Sequence, residues 1–95
     1  MDNENDYSQA IFWIEASKIE PNPFQPRREF SQEALESLAD SIRQYGVLQP
    51  LVVTRKEQIK DDGGIVVSYE LIAGERRLRA ARLAGVSAVP AVIRK

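Results

Sequence analysis

The chain has 95 residues, 43% hydrophobic and 28% charged, with a formal net charge of -1, enough for one small globular core and too little for two. It contains no cysteine and no histidine, which excludes disulfides, thiol chemistry and the usual zinc ligand sets. Its apolar runs are a few residues long and its N-terminus has neither a basic segment nor an apolar stretch, so neither a membrane span nor a signal peptide is expected, and the reading is cytoplasmic.

Residues 1–10, MDNENDYSQA, carry Asp2, Glu4 and Asp6 without apolar periodicity and are expected to be a disordered acidic tail, leaving 11–95 as the folded domain. All 13 basic residues lie in that domain, so it is mildly basic, on a scale that suits a locally held anion better than a broad nucleic-acid face. IFWIEASKI (11–19) reads as a first strand. Three prolines among residues 21–26 make PNPFQPRREF a stiff, shaped loop. Ser31 is placed to cap a helix running to about Tyr45, with Glu33 in its first turn and Leu35, Leu38, Ile42 and Tyr45 in one apolar stripe. Gly46 ends it as a left-handed cap.

VLQPLVVTRK then reads as a strand, KDDGG as a hairpin-type turn around Gly63 and Gly64, and IVVSYELIAG as the returning strand. Gly74 marks a sharp junction into a helix from Glu75 to Ala84, closed by Gly85, and VSAVPAVIRK supplies a turn and a last short strand. Strand, helix, hairpin, helix, strand is the order of a small α/β domain with a mixed sheet.

The last helix, GERRLRAARLAG, places four arginines within seven positions. At 100° per residue Arg76, Arg79 and Arg82 share a face with Glu75, while Leu78, Ala80, Ala81 and Ala84 form the apolar arc, and Arg77 falls inside that arc. A guanidinium at the edge of a core needs an anionic or hydrogen-bonding partner. Two partners stay open for Arg77: a ligand phosphate at the helix start, or a core-edge acid such as Glu36, Asp40 or Glu70. Gly74 would let a phosphate oxygen approach the amides after it. A second cationic element is QPRR, where Pro26 stiffens the approach to Arg27, and YGVLQP (45–50) offers backbone groups between Gly46 and Pro50 that could meet a flat polar ring.

NPFQPRREF, LADSIRQYGVLQPLVV and YELIAGERRLRAARLAG, in that order, resemble the N-terminal domain of the ParB family of chromosome and plasmid partition proteins, over about Ile14 to Ile93. The resemblance implies a small mixed-sheet ParB/sulfiredoxin-like domain. It also implies binding and slow hydrolysis of CTP with magnesium (Mg), which switches a DNA-loaded homodimer into a sliding clamp. By position, Gln25 and Arg27 resemble residues that help hold the nucleotide. Gly46, Val47, Leu48 and Gln49, up to Pro50, resemble the cytosine-reading loop, and Gly74, Arg76 and Arg77 resemble the triphosphate cradle. Glu75 resembles the residue associated with magnesium and hydrolysis, which makes it the candidate catalytic and metal residue. A ParA-type ATPase partner and a nucleoid-associated location are implied by the same resemblance. Full-length members continue into a further nucleotide motif, a helix-turn-helix DNA reader and a dimerisation segment. The chain stops at Lys95 before these, so sequence-specific DNA binding is not expected of it, and a lower nucleotide affinity is.

Blander roles stand beside these. Arg79 and Arg82 read as a solvated helix face. Gln25 could simply tie its own loop, Gly46 serves as a cap with or without a base, and Glu75 suits the helix dipole. Phe12 and Trp13 read as packing of an edge strand. Other function classes are a ParB-like small-molecule kinase, such as a free-serine kinase, and a nucleotide-independent domain that binds DNA phosphates or an acidic surface. Sulfiredoxin chemistry is excluded, because it needs a cysteine where GERR stands.

Overall fold

A computed structural model of the chain describes residues 10–22 and 30–95. The elements are β1 (Phe12–Glu15), a short 3-10 turn (Ala16–Lys18), β2 (Ile19–Glu20), α1 (Gln32–Tyr45), β3 (Leu51–Ile59), β4 (Ile65–Ala73), α2 (Glu75–Ala84) and β5 (Ala88–Ile93). Five strands form one mixed sheet in the order β1-β5-β3-β4-β2. β1 with β5 and β3 with β4 are antiparallel, while β3 with β5 and β2 with β4 are parallel. The expected small mixed-sheet α/β domain is therefore present. The acidic tail lies almost wholly outside the described residues.

The stretch expected to be one strand from Ile11 to Ile19 is two strands on opposite edges of the sheet. Ile14, Ala16 and Ile19 are all buried, so the start of the stretch keeps the alternation of a strand while the backbone turns at Ala16. That turn is held from outside. The Ala16 N–H donates to the Ser87 carbonyl at 2.9 Å, and the Arg82 guanidinium donates to the carbonyls of Ala16 at 3.0 Å and Ile19 at 2.5 Å.

In α1, Ser31 Oγ accepts the Ala34 N–H at 3.2 Å and Glu33 stands in the first turn, a cap worth about 1 kcal/mol. Its inward face is Leu35, Leu38, Ala39 and Ile42, whereas Tyr45, expected in the same stripe, is exposed. Gly46 has φ 79° and ψ -178°, a positive-φ extended conformation rather than the left-handed cap expected. It turns the chain away from the helix axis, and its N–H still closes the helix on the Ile42 carbonyl at 2.8 Å.

The core joins strand residues Ile14, Leu51, Val53, Leu71, Val89 and Ala91 to helix residues Ala39, Ile42, Leu78, Ala80 and Ala81. Alanines at the helix positions let the backbones approach closely, and burying a residue such as Leu78 contributes about 1.5–3 kcal/mol. Arg43 adds a polar tie between the helices, donating to the Leu83 carbonyl at 3.2 Å. The expected turn between β3 and β4 is built as read: Gly63 has φ 88°, and the Lys60 N–H donates to the Gly64 carbonyl at 2.7 Å.

Candidate functional site

The register of β3 against β4 shifts between Val52 and Val53, which oppose Ala73 and Leu71. Ile72 is thus the extra residue of a bulge, a device that bends a strand and re-aims the residues after it. Two positions on stands Gly74, at φ 110° and ψ 30°, directly before α2. A Cβ at Gly74 would stand 3.0 Å from Leu51 Cγ and 3.5 Å from Arg77 Cζ. The missing side chain therefore permits the turn and the close approach to Leu51, while Arg77 lies over Gly74 at ordinary contact distance. The Leu78 N–H makes the first helical bond, to the Gly74 carbonyl at 2.9 Å. The amides of Glu75, Arg76 and Arg77 have no acceptor within the helix, which leaves a positive helix end.

A cleft of about 820 Å³ opens at this helix end, a size suited to a small-molecule ligand. Ile72 to Arg77 form one side, Leu38, Ser41 and Ile42 of α1 with the loop Gly46–Gln49 form the other, and Asn22 and Phe30 also line it. Eight of the residues singled out from sequence (Gly46, Val47, Leu48, Gln49, Gly74, Glu75, Arg76 and Arg77) are brought together here. Gln25 and Arg27 lie outside the described residues; Asn22 and Phe30, on either side of that segment, both reach the cleft. Sequence reasoning passed over Ser41. A polar residue beside Leu38, Ile42 and Tyr45 on the apolar side of α1 was the available signal.

The four arginines of α2 have four different situations. Arg76 is exposed and makes no hydrogen bond or ion pair among the described residues. Arg77 is half-buried, and its NH1 donates to the carbonyls of Gln49 at 3.1 Å and Pro50 at 2.7 Å. The acids considered for it are engaged elsewhere: Asp40 with Arg43 at 2.5 Å, Glu70 with Lys56 at 3.4 Å, and Glu36 with the Gln32 side-chain amide at 3.2 Å. Arg79 pairs with Glu75 at 2.8 Å and lies 5.1 Å over the Phe30 ring. Arg82 holds the 3-10 turn. Arg79 and Arg82 are both exposed, as expected of a solvated face, but each also has partners, because this side of α2 passes close to the turn and to Phe30.

Glu75 is the one carboxylate among the described residues that line the cleft, and no group of three or more potential metal ligands occurs among the described residues. A single carboxylate cannot build an all-protein cage. It does suit Mg²⁺, which is commonly held by one or two carboxylates together with the phosphates of its ligand. Among the described residues no helix is long and apolar enough to cross a membrane.

The family described as the ParB N-terminal domain matches residues 1–95. The chromosome-partitioning protein Spo0J of Thermus thermophilus is 53% identical over 85 residues, covering 90% of this chain and 28% of that protein. The chain thus spans less than a third of that relative's length. Among solved structures, a C-terminally truncated chromosome-partitioning protein ParB from Caulobacter crescentus, in complex with CTP-γ-S, superposes with a TM-score of 0.73 at 41% identity, covering 90% of this chain and 44% of that one. Sulfiredoxin from Arabidopsis thaliana superposes with a TM-score of 0.68 at 29% identity, covering 90% and 85% respectively.

Proposed function

Because the chain belongs to the ParB N-terminal domain family, we propose that its cleft is a nucleotide site that takes CTP, with the triphosphate at the start of α2 and the base against the loop Gly46–Gln49. The observation that carries this is a juxtaposition. A positive helix end with Arg76, unpaired among the described residues, shares one cleft with a loop whose backbone groups can meet a base. Each charge-assisted hydrogen bond to phosphate contributes about 1.5–3 kcal/mol. Phosphate contacts alone treat all nucleotides alike, so base choice falls to the loop. Cytosine carries an amino donor where uracil carries an acceptor, and a backbone carbonyl at that edge would favour CTP over UTP by leaving an unpaired buried group in the wrong complex.

Magnesium fits the same arrangement through Glu75, and when bound it would neutralise phosphate charge. The fold shared with sulfiredoxin brings no thiol chemistry, since the chain has no cysteine. DNA, a ParA-type ATPase and a second copy are proposed as partners of a longer, nucleoid-associated protein, with the nucleotide as the signal that alters their contacts. Calorimetric titration with CTP, UTP, ATP and GTP in the presence of magnesium tests the reading. A clear preference for CTP is expected, and equal or tighter binding of ATP would overturn the base assignment.

A further inference from the structure

Five residues, Gly46 to Pro50, connect α1 to β3, and the first four of them line one wall of the cleft. Gly46, at φ 79°, places no steric limit on where they start. Val47 packs against the core, but among the described residues the backbone of Val47, Leu48 and Gln49 makes no backbone–backbone hydrogen bond. The hydrogen bonds that fix this stretch come from one side chain. Arg77 reaches across the cleft floor and its NH1 donates to the carbonyls of both Gln49 and Pro50. Its guanidinium passes over Gly74, where a Cβ would stand in ordinary contact, 3.5 Å from Arg77 Cζ.

Arg77 is also the third residue of α2, so its own amide is one of the three left without an acceptor at the helix end. A guanidinium carries five N–H groups, and NH1 supplies only two of them. Nε and NH2 remain for an anion while the two carbonyls stay held.

We propose that Arg77 is a positioning residue for base choice: it fixes the loop that faces the base relative to the helix end that faces the phosphates. The inference rests on the nucleotide reading above. Its physical basis is preorganisation. A loop whose polar groups are already held discriminates between bases, because a wrong base leaves those groups unpaired, whereas a slack loop rearranges to suit any base. Arg76, which holds nothing in the loop, has no such role, and the two adjacent arginines should therefore fail in different ways when removed.

The test compares the unmodified chain, Arg76→Ala, Arg77→Ala and Arg77→Lys, the last keeping the charge on a shorter reach. Each is titrated with CTP, UTP, ATP and inorganic tripolyphosphate, and backbone ¹⁵N order parameters are measured without ligand. For Arg76→Ala, the expectation is a parallel loss for all four ligands with loop order unchanged. For both Arg77 variants, the CTP-to-ATP affinity ratio should fall about tenfold, while order parameters at Val47–Gln49 drop toward the flexible range below about 0.6. Tripolyphosphate binding should weaken less than CTP binding in both, and detectable tripolyphosphate binding by Arg77→Lys shows that the helix end is intact. Equal losses for CTP, UTP, ATP and tripolyphosphate in both Arg77 variants, or loop order as high as in the unmodified chain, would overturn the proposal. If the unmodified chain itself shows no base preference, the CTP reading is what falls, and the selectivity role falls with it.

Discussion

Replacing Gly74 with alanine should cost far more than replacing Gly85, although both glycines cap the same helix with positive φ. The backbone part is shared: Gly74 sits at φ 110° and Gly85 at φ 82°, and a side chain in this region costs about 1–2 kcal/mol. The packing part differs. A Cβ at Gly85 meets nothing within 4 Å, whereas at Gly74 it comes to 3.0 Å from Leu51 Cγ. Leu51 is wholly buried and paired in the sheet with Ala91, so it has little room to retreat, and overpacking of this kind adds about 1–3 kcal/mol. The sum for Gly74→Ala is about 2–5 kcal/mol, against about 1–2 for Gly85→Ala. In a domain of this size each kcal/mol lowers the melting temperature by about 4–8 °C, which predicts a fall of roughly 8–40 °C for Gly74→Ala. Calorimetry with urea titration as a check measures both variants. Equal losses would show that the contact with Leu51 relaxes without cost and would refute the packing argument.

Three other substitutions separate Arg82, Arg76 and Glu75 of α2. Arg82→Ala should free the carbonyls of Ala16 and Ile19, lower the melting temperature by roughly 10 °C and leave any CTP-induced thermal shift unchanged; a melt like that of the unmodified chain would show the strap to be idle. Arg76→Ala should leave the ligand-free melt untouched, since the side chain makes no bond to lose among the described residues, while weakening CTP about ten- to a hundredfold in calorimetry. Glu75→Gln should keep most of the CTP affinity and remove whatever phosphate release from CTP the unmodified chain shows, and release at the unmodified rate would remove Glu75 from any catalytic role.

Much of the fold was legible in residues whose effect is local. Ser31 and Gly46 bracket α1, Gly74 and Gly85 bracket α2, and the Asp-Gly turn joins β3 to β4, because caps and positive-φ positions act on their own neighbours. The features that escaped sequence reading depended on partners remote in the chain. Apolar alternation marks which face of a strand turns inward but not which edge of the sheet it joins, so the break at Ala16 and the transfer of Ile19 to the opposite edge were hidden. The helical wheel placed Arg77 inside the apolar arc, and the side chain is half-buried. The wheel could not offer backbone carbonyls as partners, since every residue has one, and so only a ligand phosphate and core-edge acids were considered. Arg82 is exposed as expected, but its partners were missed for the same reason: its acceptors are carbonyls more than 60 residues away. The cleft itself was half legible, as glycine and arginine positions whose convergence only the topology brings about.

The strand order also governs when this sheet can close. β1 pairs with β5, the last of these strands to leave the ribosome, while β2, only four residues further on, pairs with β4. Among the described residues, the β3–β4 hairpin is the one strand pair that can form from neighbouring residues; the others wait on distant segments, and such non-local closure is slow. During synthesis, the aromatic strand carrying Phe12 and Trp13 therefore stays without its sheet partner until residues 88–93 have emerged. The interval is a window in which an apolar edge is open to other chains, and it lengthens with any pause in translation between Glu75 and Ile93.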